Sequence, residues 1–258
     1  MKNVIACLIV CLIAAFPPRA RAAEEKPTIV LVHGAFADAS SWNRVTAILR
    51  EQGYPVVAVA NPLRSVGGDA AYLGDLLDAL HRPVVLVGHS YGGLVIGETA
   101  LAGRDIRALV FVAAFAAAPG ETAAGLSARA PGSTLGQALD TPVGLAGGGV
   151  DLYIRQEAFG EQFAADLPAE AALSMAASQR PVTEAALNEP ARQATWRQRP
   201  SWFIYGDQDR NIPPSVLGFM ADRAGSKRTI VMEGASHVVM VSHPRVVAGL
   251  IAEAAQGR

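Results

Sequence analysis

The 258-residue sequence predicts an α/β fold: a mostly parallel sheet of about six strands, helices on both faces and a helical insertion. Three observations lead there. Short apolar runs without polar alternation, at residues 28–32 and 84–87, read as strands buried on both faces, the signature of a parallel sheet. Helical apolar patterns follow such runs, as at 69–80 with Ala70, Leu73, Leu76, Leu77 and Leu80 on one face. A hydrophobic content of 51% in a chain of this length supplies the core of one sizeable domain.

The first 22 residues read as an export signal. Lys2 gives the positive start, residues 4–16 form an apolar run, and Ala20-Arg21-Ala22 precedes a cut at Ala23. The run is shorter than the ~20 residues of a membrane-spanning helix. The expected product is a single domain over 23–258, periplasmic or secreted, with no stable membrane insertion; an uncleaved leader would tether it instead. Cys7 and Cys11 both fall in the leader, so the mature chain carries no disulfide, thiolate metal site or cysteine nucleophile. Lys2, Arg19 and Arg21 leave with it, so 19 of the 22 basic residues remain against all 23 acidic ones, a net charge of about −4. Nothing forms a basic patch, and no nucleic-acid partner is expected.

Residues 28–32 form the first strand, ending at His33-Gly34-Ala35-Phe36. A helix is expected over 41–52 with Ser40 or Ser41 as its cap, then a strand at 56–60, the helix at 69–80, the central strand from Val84, a helix from Leu94 and a strand at 106–113. Alternation then stops. From about 115 to 200 the chain is punctuated by Ala, Gly and Pro, with helical stretches at 151–163 and 169–177 and a flexible loop at 144–149. Its apolar residues, among them Leu139, Leu152, Phe159 and Phe163, indicate a cap over the C-terminal edge of the sheet, where open α/β sheets bind ligands. Alternation resumes with a strand at 202–205, a helix at 214–224, a strand at 228–232 and a last helix at 244–255.

The chemistry starts at Gly88-His89-Ser90-Tyr91-Gly92, a G-x-S-x-G sequence between strand and helix patterns. A serine on the tip of such a turn sits in strained backbone, and side chains two positions away would meet the crossing helix, so both places call for glycine. A serine hydroxyl needs a base, and the base needs an orienting group. The elbow therefore predicts an acid and then a histidine, each following a later strand. Asp207 and Asp209 follow the strand at 202–205, and His237 follows that at 228–232. His33 and His89 stand beside glycines at strand ends, His81 at a helix end and His243 before a proline, so His237 is the expected base.

With these residues in place the chain resembles the α/β-hydrolase superfamily over its mature length. Within it, the chain is similar to small serine esterases of the plant methylesterase and hydroxynitrile lyase group. The carriers are His33-Gly34-Ala35, Trp42, Gly88-His89-Ser90-Tyr91-Gly92-Gly93, Asp207-Gln208-Asp209 and Ser236-His237. The resemblance assigns the acid to Asp209 and leaves Asp207 in the turn. It gives the oxyanion hole to the backbone N–H groups of Ala35 and Tyr91, with Phe36 as the alternative to Ala35. Hydroxynitrile lyases of this group carry lysine after the histidine and threonine in the HG turn; Val238 and Gly34 stand here and side with ester hydrolysis. The expectation is a serine carboxylesterase-type hydrolase for small to medium apolar esters, working through Ser90, His237 and Asp209. Amide or lactone hydrolysis, acyl transfer and a silent binding scaffold are the alternatives. Phe36 and Trp196 are expected at the substrate; no cofactor and no metal are implied.

Overall fold

In the computed structural model the described residues are 25–257; the expected leader and both cysteines lie outside them. Six parallel strands form the main sheet: β1 (Thr28–Val32), β2 (Val56–Val59), β3 (Val84–His89), β4 (Ile106–Val112), β8 (Ser201–Gly206) and β9 (Thr229–Met232). Their order is β2-β1-β3-β4-β8-β9. The central strands β1, β3 and β8 are buried at every residue, whereas the edge strands β2 and β9 are partly open to solvent. That is the burial that near-continuous apolar runs demand.

Helices cover both faces. α1 (Asn43–Glu51) packs with the C-terminal helix α11 (Pro244–Ala255) on one side, and α2 (Val66–Leu80) packs with α3 (Gly92–Glu98) on the other. Local chemistry sets their ends. The cap before α1 is Asp38 and not Ser40 or Ser41: its carboxylate accepts from Ser40 N and starts a 3₁₀ turn at Ala39–Trp42. α2 begins three residues earlier than its apolar pattern shows, because the Ser65 hydroxyl accepts from Gly68 N and carries the glycine pair into the first turn. It ends at His81, whose φ is 47°.

Between β4 and β8 lies the insertion, with α4 (Ala123–Ser127), α5 (Leu135–Ala138), α6 (Gln156–Phe163), α7 (Ala169–Ser178) and α8 (Glu184–Asn188). It is not wholly helical. β5 (Val143–Gly144), β6 (Val150–Leu152) and β7 (Val182–Thr183) form a small antiparallel sheet of their own. The expected loop at 144–149 is the turn of this hairpin, and the start of the expected helix at 151–163 belongs to β6, leaving α6 to begin at Gln156. After β8 come α9 (Pro214–Arg223), then β9, and a short α10 (Val239–Ser242) behind His237. No described helix is long and apolar enough to cross a membrane.

Candidate active site

The main chain turns sharply where β3 meets α3, and Ser90 sits at the tip with φ 52°. Such a conformation costs a non-glycine residue about 1–3 kcal/mol. Its surroundings hold it there: Ser90 N donates to Val112 O at 3.3 Å, and Ser90 O accepts from Gly93 N at 2.9 Å and Phe115 N at 3.2 Å. A Cβ at Gly88 would lie 2.6 Å from Gly92 O, so the strand and helix cross too closely for any side chain. From the neighbouring strand β1, the His33-Gly34 turn presses against the same elbow. A Cβ on Gly34 would stand 2.6 Å from Ser90 Cβ and 2.8 Å from His89 O.

His237 is fully buried, and its Nδ1–H donates to Asp209 Oδ2 at 2.6 Å. The other oxygen, Oδ1, accepts from Asn211 N at 2.8 Å and Ile212 N at 3.0 Å, so the carboxylate is oriented by its own turn. Asp207 is in a different role. Its Oδ1 accepts from Gly234 N at 2.8 Å, linking the loop after β8 to the loop that carries His237. Nε2 of His237 has no partner among the described residues, and Ser90 Oγ makes no hydrogen bond among them; both residues line one cavity. Contacts of this kind are commonly open in unliganded sites and tighten when substrate arrives.

Two further histidines brace the site. His89 is buried, and its Nε2–H donates to His237 O at 3.1 Å; burial, with His237 next to it, holds its pKa well below that of a free imidazole. His33 accepts at Nε2 from Asn61 N at 3.1 Å, so its proton is on Nδ1, which donates to Gly34 O at 2.9 Å. Burial lowers its pKa to about 4. Sequence position alone showed both only as glycine neighbours; their signal was a polar residue at the end of a fully buried strand. Tyr91 is anchored from behind, its hydroxyl donating to Asp69 Oδ2 at 2.9 Å, and burial raises the pKa of both groups.

Among the described residues the N–H groups of Ala35 and Tyr91 donate to no acceptor, although both residues are buried at the cavity. Phe36 N, by contrast, donates to Arg180 O at 3.0 Å and is occupied. The cavity holds about 410 Å³. The Phe36 and Phe163 rings line it, Ala123, Ala124 and Ala128 from α4 and its C-terminal flank form a wall of small side chains, and no Asp, Glu, Lys or Arg among the described residues reaches it. Trp196 is not in the lining. It packs in a 3₁₀ turn (Thr195–Arg197) with its indole N–H donating to Ala117 O at 2.8 Å, beside Arg223. The expectation of Trp196 at the substrate is corrected on that ground: its polar edge is spent on the scaffold. Among the described residues no group of three or more His, Cys, Asp or Glu side chains is placed to hold a metal ion.

A model of the alpha/beta hydrolase family matches residues 29–250, which takes in all six strands of the main sheet from Ile29 onward and every group just described. The chain belongs to that family. Among relatives of this family member, an alpha/beta hydrolase of Aspergillus novofumigatus is 26% identical over 252 residues, covering 89% of this chain and 97% of the relative. Of solved structures, polyneuridine aldehyde esterase superposes with a TM-score of 0.76 at 20% identity, over 89% of this chain and 99% of its own. A methylesterase from Arabidopsis superposes with a TM-score of 0.69 at 20% identity, over 90% of this chain and all 100% of its own. These likenesses carry the fold, and the fold of this hydrolase family member is theirs.

Proposed function

We propose that the protein is an exported serine esterase that hydrolyses uncharged esters of small to medium apolar molecules. The observation that carries this reading is the buried Asp209–His237 pair lining one cavity with a strained Ser90. In the reaction, Ser90 Oγ attacks the ester carbonyl carbon while its proton passes to His237 Nε2. Asp209 holds the ring by Nδ1 and offsets the positive charge that forms. The carbonyl oxygen, now negative, takes the N–H groups of Ala35 and Tyr91, which have no other acceptor. The C–O bond breaks, the alcohol leaves with the proton from Nε2, and water repeats the sequence to release the acid and restore Ser90.

The cavity supports the substrate class. Its walls carry no Asp, Glu, Lys or Arg, so a charged acyl or alcohol group would enter without a counter-charge. Gly34 and Val238 stand where the similar hydroxynitrile lyases carry threonine and lysine, which supports hydrolysis as the chemistry. Export rests on the sequence of residues 1–22. The test is hydrolysis of a nitrophenyl ester series from acetyl to long acyl chains by the wild type and Ser90→Ala. The expected outcome is activity in the wild type and a loss of at least ~10³-fold in turnover in the variant. A folded wild type silent across the series would refute the esterase reading.

A further inference from the structure

We propose that Gln162, on the last turn of α6, is a positioning residue for the Asp209–His237 pair, acting through the segment that follows Asp209. Its side chain is 6% exposed and fully engaged. Nε2 donates to Arg210 O at 2.8 Å and to Asn211 Oδ1 at 3.2 Å, and Oε1 accepts from Thr134 Oγ1 at 2.7 Å. Its main-chain carbonyl accepts in turn from Asn211 Nδ2 at 3.1 Å. Thr134 closes the cluster, with its own N donating to Arg210 O at 3.0 Å. Asn211 N is also one of the two donors that orient Asp209 Oδ1. The insertion therefore grips the two residues that follow Asp209, one of which, Asn211, also aims its carboxylate.

The same end of α6 reaches the histidine loop. The Phe163 ring lies 5.0 Å from the His237 ring, edge to face, and Ser236 Oγ donates to Phe163 O at 3.3 Å and to Asp166. Asp209 and His237 stand on loops from two different strands, β8 and β9. The sheet sets those strands side by side but does not by itself fix one loop tip against the other. Asp207 Oδ1 ties the two loops at Gly234 N, and the end of α6, which bonds one loop and packs on the other, adds a second brace at the residues next to Asp209 and His237. Neither Gln162 nor Thr134 lines the cavity, but their neighbours Phe163, Ser133 and Leu135 do, so a readout at His237 is needed to separate an effect through the loop from one through the cavity wall.

The kinetic half of the test rests on the esterase reading; the spectroscopic half does not. Gln162→Met keeps the volume and removes the side-chain hydrogen bonds. The expected result is a fall of about tenfold or more in kcat with KM within about twofold of wild type, since a misplacement of ~1 Å in a catalytic group can cost ~10²-fold. The downfield proton resonance of His237 Nδ1–H, read by NMR without substrate, is expected to shift or broaden. Thr134→Val removes one link and gives a smaller change in the same direction, and Thr134→Ser, which keeps the hydroxyl, restores wild-type values. A folded Gln162→Met with wild-type kcat and an unmoved resonance, losing only unfolding midpoint, overturns the proposal. If that variant does not fold, Thr134→Val is decisive, and unchanged kcat and resonance there overturn it equally. A wild type that cleaves no ester refutes the esterase reading and leaves the resonance to test this one.

Discussion

Gly34 shows how little room a residue beside Ser90 has. Its missing side chain is the space into which Ser90 Cβ and His89 O fit, so Gly34→Ala must push either the elbow or the turn that carries Ala35. The expected result is a folded protein whose kcat/KM falls about 10²-fold, because the serine and the oxyanion donor separate. Ester kinetics on the purified variant check this, and wild-type turnover would contradict it. Residues of this kind were legible in the sequence because close packing forces an identity. Gly88 and Gly92 bracket the serine for the same steric reason, and the order serine, aspartate, histidine follows from which strands end at the cavity. Spacing alone left Asp207 and Asp209 open and the resemblance chose Asp209; in the folded turn one carboxylate faces Gly234 N and the other faces His237. Trp196 misled because an aromatic residue near the end of an insertion carries no local mark of which way it faces.

At the scale of the element, the insertion was only half legible. α7 is legible from its apolar spacing, but β5, β6 and β7 have two or three residues each, and β6, paired with β5 in a hairpin, meets β7 only some thirty positions further along the chain. No local period marks such strands. Nor does sequence show where the insertion is fastened. Glu189, just past α8, reaches across to the start of α2 and accepts from Val66 N at 2.7 Å and Gly67 N at 3.1 Å. Arg64, two residues before that helix, donates to Asp151 Oδ1 at 2.6 Å and Pro181 O at 2.8 Å. A carboxylate on free N–H groups at a helix N-terminus stabilises both partners. Glu189→Ala is expected to cost about 1 kcal/mol, within the range of a lost helix cap, measured as a lower urea midpoint. An unchanged midpoint would show that water replaces the carboxylate without loss.

For the whole molecule, the strand order explains why one site gathers residues so far apart in sequence. The chain leaves β1 for β2 at one side and returns to β3 at the other, so the sheet switches direction between β1 and β3. Ala35 and Ser90 stand at the carboxyl ends of those two strands, at the crevice where open sheets bind ligands. This level was the most legible, since six apolar runs at the right spacing leave few ways to wind a parallel sheet. The buried histidines give the molecule a pH dependence. His33 is held neutral in the fold down to about pH 4 by burial, whereas the unfolded chain takes up its proton near pH 6.5. Stability is then complete above pH 6.5 and is lost as pH falls from there towards 4, by on the order of 3 kcal/mol from this residue. His89 acts in the same direction. Urea unfolding at pH 7 and pH 4.5 tests this, with His33→Gln expected to show a weaker dependence; equal slopes would contradict it.

The uncharged wall of the cavity bears on what happens after the bond is cut. On the proposed esterase reading an ester would enter neutral, but the acid it yields ionises at neutral pH, and the new carboxylate would find no Lys or Arg among the lining residues. Once Ala35 and Tyr91 release the oxygen, the anion is better solvated outside than in. On that reading hydrolysis would convert a guest that suits the chamber into one that does not, and the product would be ejected by the same lack of charge that admitted its precursor.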